Sequence, residues 1–385
     1  MWLLLLITLS GTLAIHAFMP ALPDAARSLH TTPGAIQSAV SLYILGLALG
    51  QPIYGPLSDA FGRRTVLLGG MALFTFGGLW AAAATSIEAL ATARFVQAFG
   101  GCSGLALGRA IVRDTSEDQQ AVSRMALLNM IMLVGPGFAP VLGQLAVAVG
   151  GWRLVLLTLA SLGAVNFLLS SLMLRETSTP TGHLSKASLY ATYRRLLGSP
   201  AFAGYSTGGG CATTASFAFF SAAPFIFIEE FHRPASHLAI YLGVIVSGAA
   251  LGNLLGGRLA PRFGLRRVML IASAFAIASA GFLLVTTLAH RATWESTLAG
   301  MLAFTVSAGT IGPLAMTCAI SIDPKLVGSA AGLYGAMQML VGAVCTWCAS
   351  LGSSRLVVVS GVLLVAAVIG QVSLRLALSR SSLLR

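Results

Sequence analysis

Of 385 residues, 56% are hydrophobic and 9% charged, where a soluble chain carries roughly 25% charge, so the charged surface of a water-soluble globule is missing. A formal net charge of +12 raises nucleic acid as a partner, but that needs Lys and Arg clustered on a soluble scaffold. Here they are dispersed through short connecting segments, which excludes nucleic acid and points to membrane lipid.

A membrane span needs roughly 20 mostly apolar residues. The chain opens Met1-Trp2-Leu3-Leu4-Leu5-Leu6 with no Lys or Arg ahead of the apolar run, unlike the basic leader of a signal peptide, and reads as a retained first span. The apolar runs predict helices over 2–22, 36–57, 65–85, 87–109, 121–148 and 152–174. A polar stretch rich in Thr, Ser and basic residues follows, and a second set is predicted over 200–228, 237–259, 268–289, 295–320, 326–350 and 356–378. The domains expected are therefore an N-terminal bundle over 1–174, a cytoplasmic linker over 175–199 and a C-terminal bundle over 200–385.

Short cytoplasmic loops accumulate positive charge, and with both termini inside this topology places 17 of the 23 Lys and Arg residues there, Arg63, Arg64, Arg195 and Arg266 among them. The outer loops hold only Arg27, Arg153, Arg233, Arg291 and Arg355. An even number of helices follows.

Shifting the chain by 202 positions lays Gly46, Gly50, Gly55 and Gly62 on Gly248, Gly252, Gly257 and Gly264. The same register pairs Phe61 with Phe263 and Arg64 with Arg266, so two homologous six-helix halves are implied. Glycines at four-residue spacing, as in Gly100, Gly104 and Gly108, put bare backbone on one helix face and let helices approach closely.

The five cysteines, an odd count, all fall in apolar runs, and the Cys345–Cys348 pair sits in a hydrophobic helix without His, so neither a disulfide framework nor a metal site is expected. The six histidines are scattered with no H-E-x-x-H pair, and no G-x-x-x-x-G-K-S/T loop is present, which disfavours an intramembrane hydrolase and a nucleotide-driven pump. No cofactor is expected. Energy must come from a gradient.

Four segments carry more specific chemistry. Gly55-Pro56-Leu57-Ser58-Asp59-Ala60-Phe61-Gly62-Arg63-Arg64, placed in the loop after the second helix, is a tight glycine-permitted turn with an acid and two bases at the membrane surface. Arg94, in Leu90-Ala91-Thr92-Ala93-Arg94-Phe95-Val96-Gln97-Ala98-Phe99-Gly100, is an ionisable group within a span, which has to face a wet cavity or the bundle interior, or else snorkel to the outer interface. Gly135-Pro136-Gly137-Phe138-Ala139-Pro140-Val141-Leu142-Gly143, followed by Gly151-Trp152-Arg153, is a proline kink over which glycines let neighbours close. The first helix ends in Phe18-Met19-Pro20-Ala21-Leu22-Pro23.

With these motifs at their helix numbers, the chain resembles the major facilitator superfamily, and the first-helix stretch resembles its bicyclomycin and chloramphenicol resistance branch of drug/proton antiporters. The resemblance implies an all-α membrane protein of twelve transmembrane helices in two pseudo-symmetric six-helix halves, the major facilitator fold. It implies a gating latch at Gly55, Asp59, Gly62, Arg63 and Arg64, proton coupling at Arg94, and an antiporter helix at Gly135, Pro136, Pro140 and Gly143. The second copy of the loop has Pro261 where Asp59 sits, which weakens any latch there. That branch commonly carries an acid where this chain has His16.

Proton antiport needs a group that exchanges protons at membrane depth, and an imidazole with an ordinary pKa of about 6.5 can serve. Two readings of His16 stay open: proton exchange tuned by Arg94, or a hydrogen bond to a neighbouring helix. Asp24 and Glu230, near outer helix ends, are the next coupling candidates. Parallel halves place a substrate cavity at their interface, where Phe18, Tyr43, Asn129, Tyr205, Phe217, Phe220 and Gln338 are the aromatic and amide candidates. Mostly apolar walls suit hydrophobic, weakly polar or cationic solutes. The expected function is proton-driven efflux of small drug-like molecules by a monomer in the bacterial inner membrane, both termini cytoplasmic, with no enzymatic activity. Transport of a single metabolite by uniport or import, and a membrane sensor on a transporter scaffold, remain as alternatives.

Overall fold

The computed structural model describes residues 1–116, 118–180, 182, 186–323, 326–351 and 355–380, with some side chains in 118–136 and 186–188 outside that description. Twelve long helices are found among these residues. They are α1 (Trp2–Ser28), α2 (Pro33–Phe61), α3 (Arg63–Ala82), α4 (Ile87–Asp114), α5 (118–149), α6 (152–173), α7 (Pro200–Glu230), α8 (Leu238–Phe263), α9 (Leu265–Leu288), α10 (Trp294–Ile320), α11 (Val327–Ser350) and α12 (Arg355–Arg380). Eleven segments are long and apolar enough to cross a membrane. One of these, Gly137–Met173, runs over the end of α5 and all of α6, because the only breaks in Asp118–Met173 are Gly150 and Gly151 (φ +70°).

The helix starts have local causes. Thr32 Oγ1 accepts from Ala35 N at 3.2 Å, with Pro33 at the first helical position, and Ser86 Oγ accepts from Ala89 N at 3.2 Å. Thr293 and Ser296 form a capping box at the start of α10. Each such cap satisfies amides that have no partner inside the helix.

Several expected boundaries are corrected. The first helix continues six residues past 22 to Ser28, because Pro20 and Pro23 fall where a 3-10 turn, Met19–Ala21, hands over to the next helical segment, and prolines at the start of a helix are tolerated. Residues Gly55 to Phe61 are helical, so the motif placed in a loop is a helix end, a single turning residue and a helix start. Gly62 alone turns the chain, at φ +94°, a conformation that favours glycine. Gly264 does the same at φ +83° between α8 and α9. The fourth helix reaches Asp114 rather than 109. The polar stretch 175–199 holds an additional short helix, Lys186–Leu197, with Arg194 and Arg195 in its last turn. The seventh helix is interrupted after Thr213 and ends in a wide turn, Ile226–Glu230, just past Pro224.

The chain divides into two compact units, Met1–Tyr190 and Ala191–Arg385. In the first, α2 and α3 pack on α4, α1 on α4 and on α5, and α3 on α6. In the second, α8 and α9 pack on α10, α7 on α10 and α9 on α12. The repeat is therefore structural. A Cβ on Gly46 would lie 2.6 Å from Phe95 O, and one on Gly248 2.7 Å from Leu302 O, so equivalent glycines set the α2–α4 and α8–α10 approaches. Large apolar side chains such as Phe76, Leu168 and Ile271 are exposed, while polar groups such as Gln37, Gln97 and Asn166 are buried, the distribution a lipid-facing bundle requires.

Candidate functional site

The α2–α3 hairpin gathers three acids around two arginines. Arg63 Nη1 pairs with Asp59 Oδ1 at 2.6 Å, and its Nε donates to Asp114 Oδ2 at 3.1 Å. The same guanidinium donates to Ser58 Oγ. Arg64 Nη2 donates to Ser171 O at 2.7 Å. Glu176 closes the arrangement: its carboxylate accepts from Arg63 N at 2.8 Å and Arg64 N at 3.2 Å, the first amides of α3. Partial burial pushes this carboxyl up, but the amides of Ser178, Arg63, Thr177 and Arg64 together outweigh it and hold the group below 4.5. Gly62 leaves room for that carboxylate, since a Cβ there would come within 2.5 Å of it. Gly55 makes no close approach, and its carbonyl accepts from Ser58 Oγ at 2.7 Å.

Neither Asp114 nor Glu176 stands out in the sequence. Asp114 falls beyond the expected end of the fourth helix, and the extra helical turn carries it to Arg63. Glu176 is the first acid after the sixth helix, and only the folded hairpin shows that it lies over the start of α3.

Deeper in the first unit, Arg94 is 1% exposed, so it does not snorkel to a surface. Its Nη1 donates to Gln97 Oε1 at 2.6 Å and its Nη2 to Ala14 O at 2.8 Å. The guanidinium stacks 4.0 Å from the Tyr43 ring centroid and 4.9 Å from that of Phe18, and Tyr43 Oη donates to Gly11 O at 2.8 Å. Among the described residues no carboxylate touches this cation, and its Nε has no partner. Three predicted residues, Phe18, Tyr43 and Arg94, are thus brought together. Arg94 grips α1 at Ala14 and Phe18, on either side of His16 in sequence. His16 is itself buried, with Nδ1 3.0 Å from Thr12 O.

The glycines of the fifth helix face the same stretch of α1. A Cβ on Gly143 would collide with Ala17 O, and one on Gly135 with the Leu9 side chain. Pro140 is buried. The side chains of Asn129 and Pro136 lie outside what the structure describes.

Asp24 and Glu230 have a shared structural position. Asp24 Oδ2 accepts from Trp152 N at 2.9 Å at the start of α6, and Asp24 also sits 3.7 Å from Arg27. Glu230 accepts from the amides of Arg355 and Leu356 at the start of α12. Each acid, at the end of its unit's first helix, thereby satisfies orphan amides of its unit's last helix. Arg153 stacks on Trp152 at 4.3 Å, and Arg355, 202 positions later, stacks on Phe225 at 4.7 Å and pairs with Glu229 at 2.5 Å.

In the second unit, Gln338 Nε2 donates to Thr213 Oγ1 and Thr214 Oγ1 donates to Gln338 O, both at 2.6 Å. This joins α11 to the interruption of α7. Phe217 lies against Gly342 on the same pair of helices. Tyr205 and Phe220 are buried, Tyr205 in the core with Phe202, Ala315 and Tyr334. Thr213 and Thr214 are not legible in advance, because two threonines in an apolar run carry no signal until the helix is seen to break there.

Comparison with known proteins agrees with this architecture. Residues 4–346 match the model of the Major Facilitator Superfamily. The chain is similar to the uncharacterized MFS-type transporter YdgK of Bacillus subtilis (strain 168), 29% identical over 97% of this chain and 93% of that protein. It is 30% identical to Multidrug resistance protein D of Escherichia coli (strain K12), over 87% of this chain and 84% of that one. Among solved structures, a D-xylose-proton symporter superposes with a TM-score of 0.74 at 13% identity, covering 95% of this chain and 96% of that one, which speaks for the fold alone. Twelve long helices in two matching units, the hairpin motif at its expected place and a family match over most of the chain lead to one statement: this protein is a multi-pass membrane transporter belonging to the major facilitator superfamily.

Proposed function

We propose that the chain exports small hydrophobic or drug-like molecules across the bacterial inner membrane in exchange for protons, working as a monomer by alternating access with both termini cytoplasmic. The reading rests on Arg94: a buried cation held against α1 around His16 by one carbonyl, one amide and two aromatic faces. Such a charge costs about 3 kcal/mol at bilayer depth even on the lenient insertion scale, and selection for stability alone would remove it. In this reading His16 exchanges the proton and Arg94 biases its protonation. The acid network around Arg63 and Arg64 latches one state, and the Gly135–Gly143 face of α5 slides on α1. Phe18 and Tyr43, with Tyr205, Phe217 and Gln338, contribute to substrate contact. Residues 1–174 and 200–385 are taken as the moving bundles and 175–199 as the linker. The similarity to Multidrug resistance protein D supports a drug-like substrate class.

Inside-out vesicles test it. A lipophilic cationic dye should accumulate when the proton gradient is imposed and stop when it is collapsed. His16→Ala should retain dye binding while losing substrate-linked proton release. Gradient-independent dye movement, or unchanged coupling in His16→Ala, removes the proton mechanism, and a growth panel in which tolerance shifts for one compound only would favour a single-metabolite carrier.

A further inference from the structure

The two hairpins of the repeat differ in how their positive charge is balanced. In α2–α3, Arg63 has Asp59 and Asp114, and the first amides of α3 have Glu176. In α8–α9 the equivalents are Pro261, Met316 and Leu378, and no Asp or Glu occurs anywhere between Glu230 and Glu295. Arg258, Arg262, Arg266 and Arg267 are all exposed there, and among the described residues none of the four pairs with a carboxylate. Of the acids described in this unit, Glu229 and Glu230 are at α12, Glu295 starts α10 and Asp323 pairs with Arg195.

Arg262, in the last turn of α8, is favoured by the helix dipole and Arg258 lies one turn earlier, whereas Arg266 and Arg267 in the first turn of α9 add charge to its positive end. The first unit relieves the same conflict with a carboxylate over Gly62. Over Gly264 there is open space, since a Cβ placed there would have nothing within 4 Å, and α9 has no side-chain cap. Exposed Leu254, Phe263 and Ile271 flank the arginines, so an anion arriving here with apolar chains attached finds both of its parts matched.

We infer that the α8–α9 hairpin is an acidic-phospholipid site, in which a headgroup phosphate takes over the start of α9 the place that Glu176 takes over the start of α3. The arginines hold the phosphate as charge-assisted donors, and Phe263 and its apolar neighbours run beside the acyl chains. This inference does not depend on the substrate or on proton coupling.

The full chain, purified and reconstituted into nanodiscs of mixed phosphatidylglycerol and phosphatidylcholine, tests it by mass spectrometry of the lipid retained on extraction. The expected result is enrichment of phosphatidylglycerol that falls at least about tenfold when all four arginines are changed to Gln, taking several-fold per arginine at a membrane surface, while Arg291→Gln leaves it unchanged. Pro261→Asp keeps every arginine and restores the acid of the first repeat, and should lower retention in the same direction even if the quadruple variant folds poorly. Equal enrichment in wild type, Pro261→Asp and the quadruple variant overturns the site. Displacement of the lipid by equimolar inorganic phosphate assigns the arginines to a free anion instead, and displacement by soluble polyglutamate assigns them to an acidic protein segment; either result also overturns it.

Discussion

Arg94 separates stability from function. A buried ion without a countercharge is costly, and replacing such groups with apolar residues of similar size is often neutral or stabilising by about 1–4 kcal/mol. Arg94→Met is therefore expected to melt in detergent no lower than the wild type while its transport in vesicles falls to background. Arg94→Lys should also lose transport, by at least about tenfold, because an ammonium cannot reach Gln97 and Ala14 with a planar fork while stacking on Tyr43 and Phe18. Transport near wild type in Arg94→Lys would reduce the residue to a point charge. The presence of this cation was legible in the sequence, since an Arg inside an apolar run stands out. Its partners were not: Ala14 O is a backbone atom 80 positions away, and no residue type announces a carbonyl.

At the scale of the helix, carboxylates at helix starts give a structural position to two residues that the sequence offered as the next coupling candidates. Asp24 and Glu230 stand out in the sequence because acids near membrane depth are rare, yet both meet the amides of a helix start. Asp24→Asn is expected to lower stability by about 0.5–2 kcal/mol, the range for a weakened helix cap, with the ratio of protons to substrate unchanged. A changed ratio measured by dye and pH fluorescence together would place Asp24 in the coupling mechanism. Glu176 adds a pH dependence. Its folded pKa lies below the ordinary 4.5, so its contribution is fully present above that value and lost as pH falls through the depressed one. Because the group is exposed, the effect is under about 1 kcal/mol. Glu176→Gln should remove most of the acid-induced loosening of the hairpin, read as a fluorescence change between pH 7 and pH below 4.5 from a pH-insensitive, environment-sensitive dye attached through a cysteine at Phe61, present in wild type but absent in the variant. Glycine contacts act at the same scale. Gly143→Leu would drive a side chain into Ala17 O, and should abolish transport even where the protein still folds.

For the whole molecule, the arrangement was readable because several independent patterns agreed: span length, basic-residue asymmetry and a repeat at one constant offset. Charge asymmetry and span length are averaged over many residues and survive errors of several positions at each helix end. What escaped were the places where one residue decides the geometry, such as Gly62 as the entire turn and the interruption of α7 at Thr213, whereas the break between α5 and α6 at Gly150 and Gly151 falls in the gap expected between 148 and 152. The same repeat yields a topological test. Hairpins α2–α3 and α8–α9 are separated by six helices, an even number, so both are expected on one side of the membrane, and the positive-charge asymmetry predicts that this side is the cytoplasm. Single cysteines at the exposed positions Phe61 and Phe263 should both react with a membrane-impermeant maleimide in inside-out vesicles and both be protected in intact cells. The native thiols leave a low background, four of the five being buried. If the two sites labelled from opposite faces, one of the apolar helices between them could not cross the bilayer, and the two-fold repeat would no longer describe how the chain is threaded.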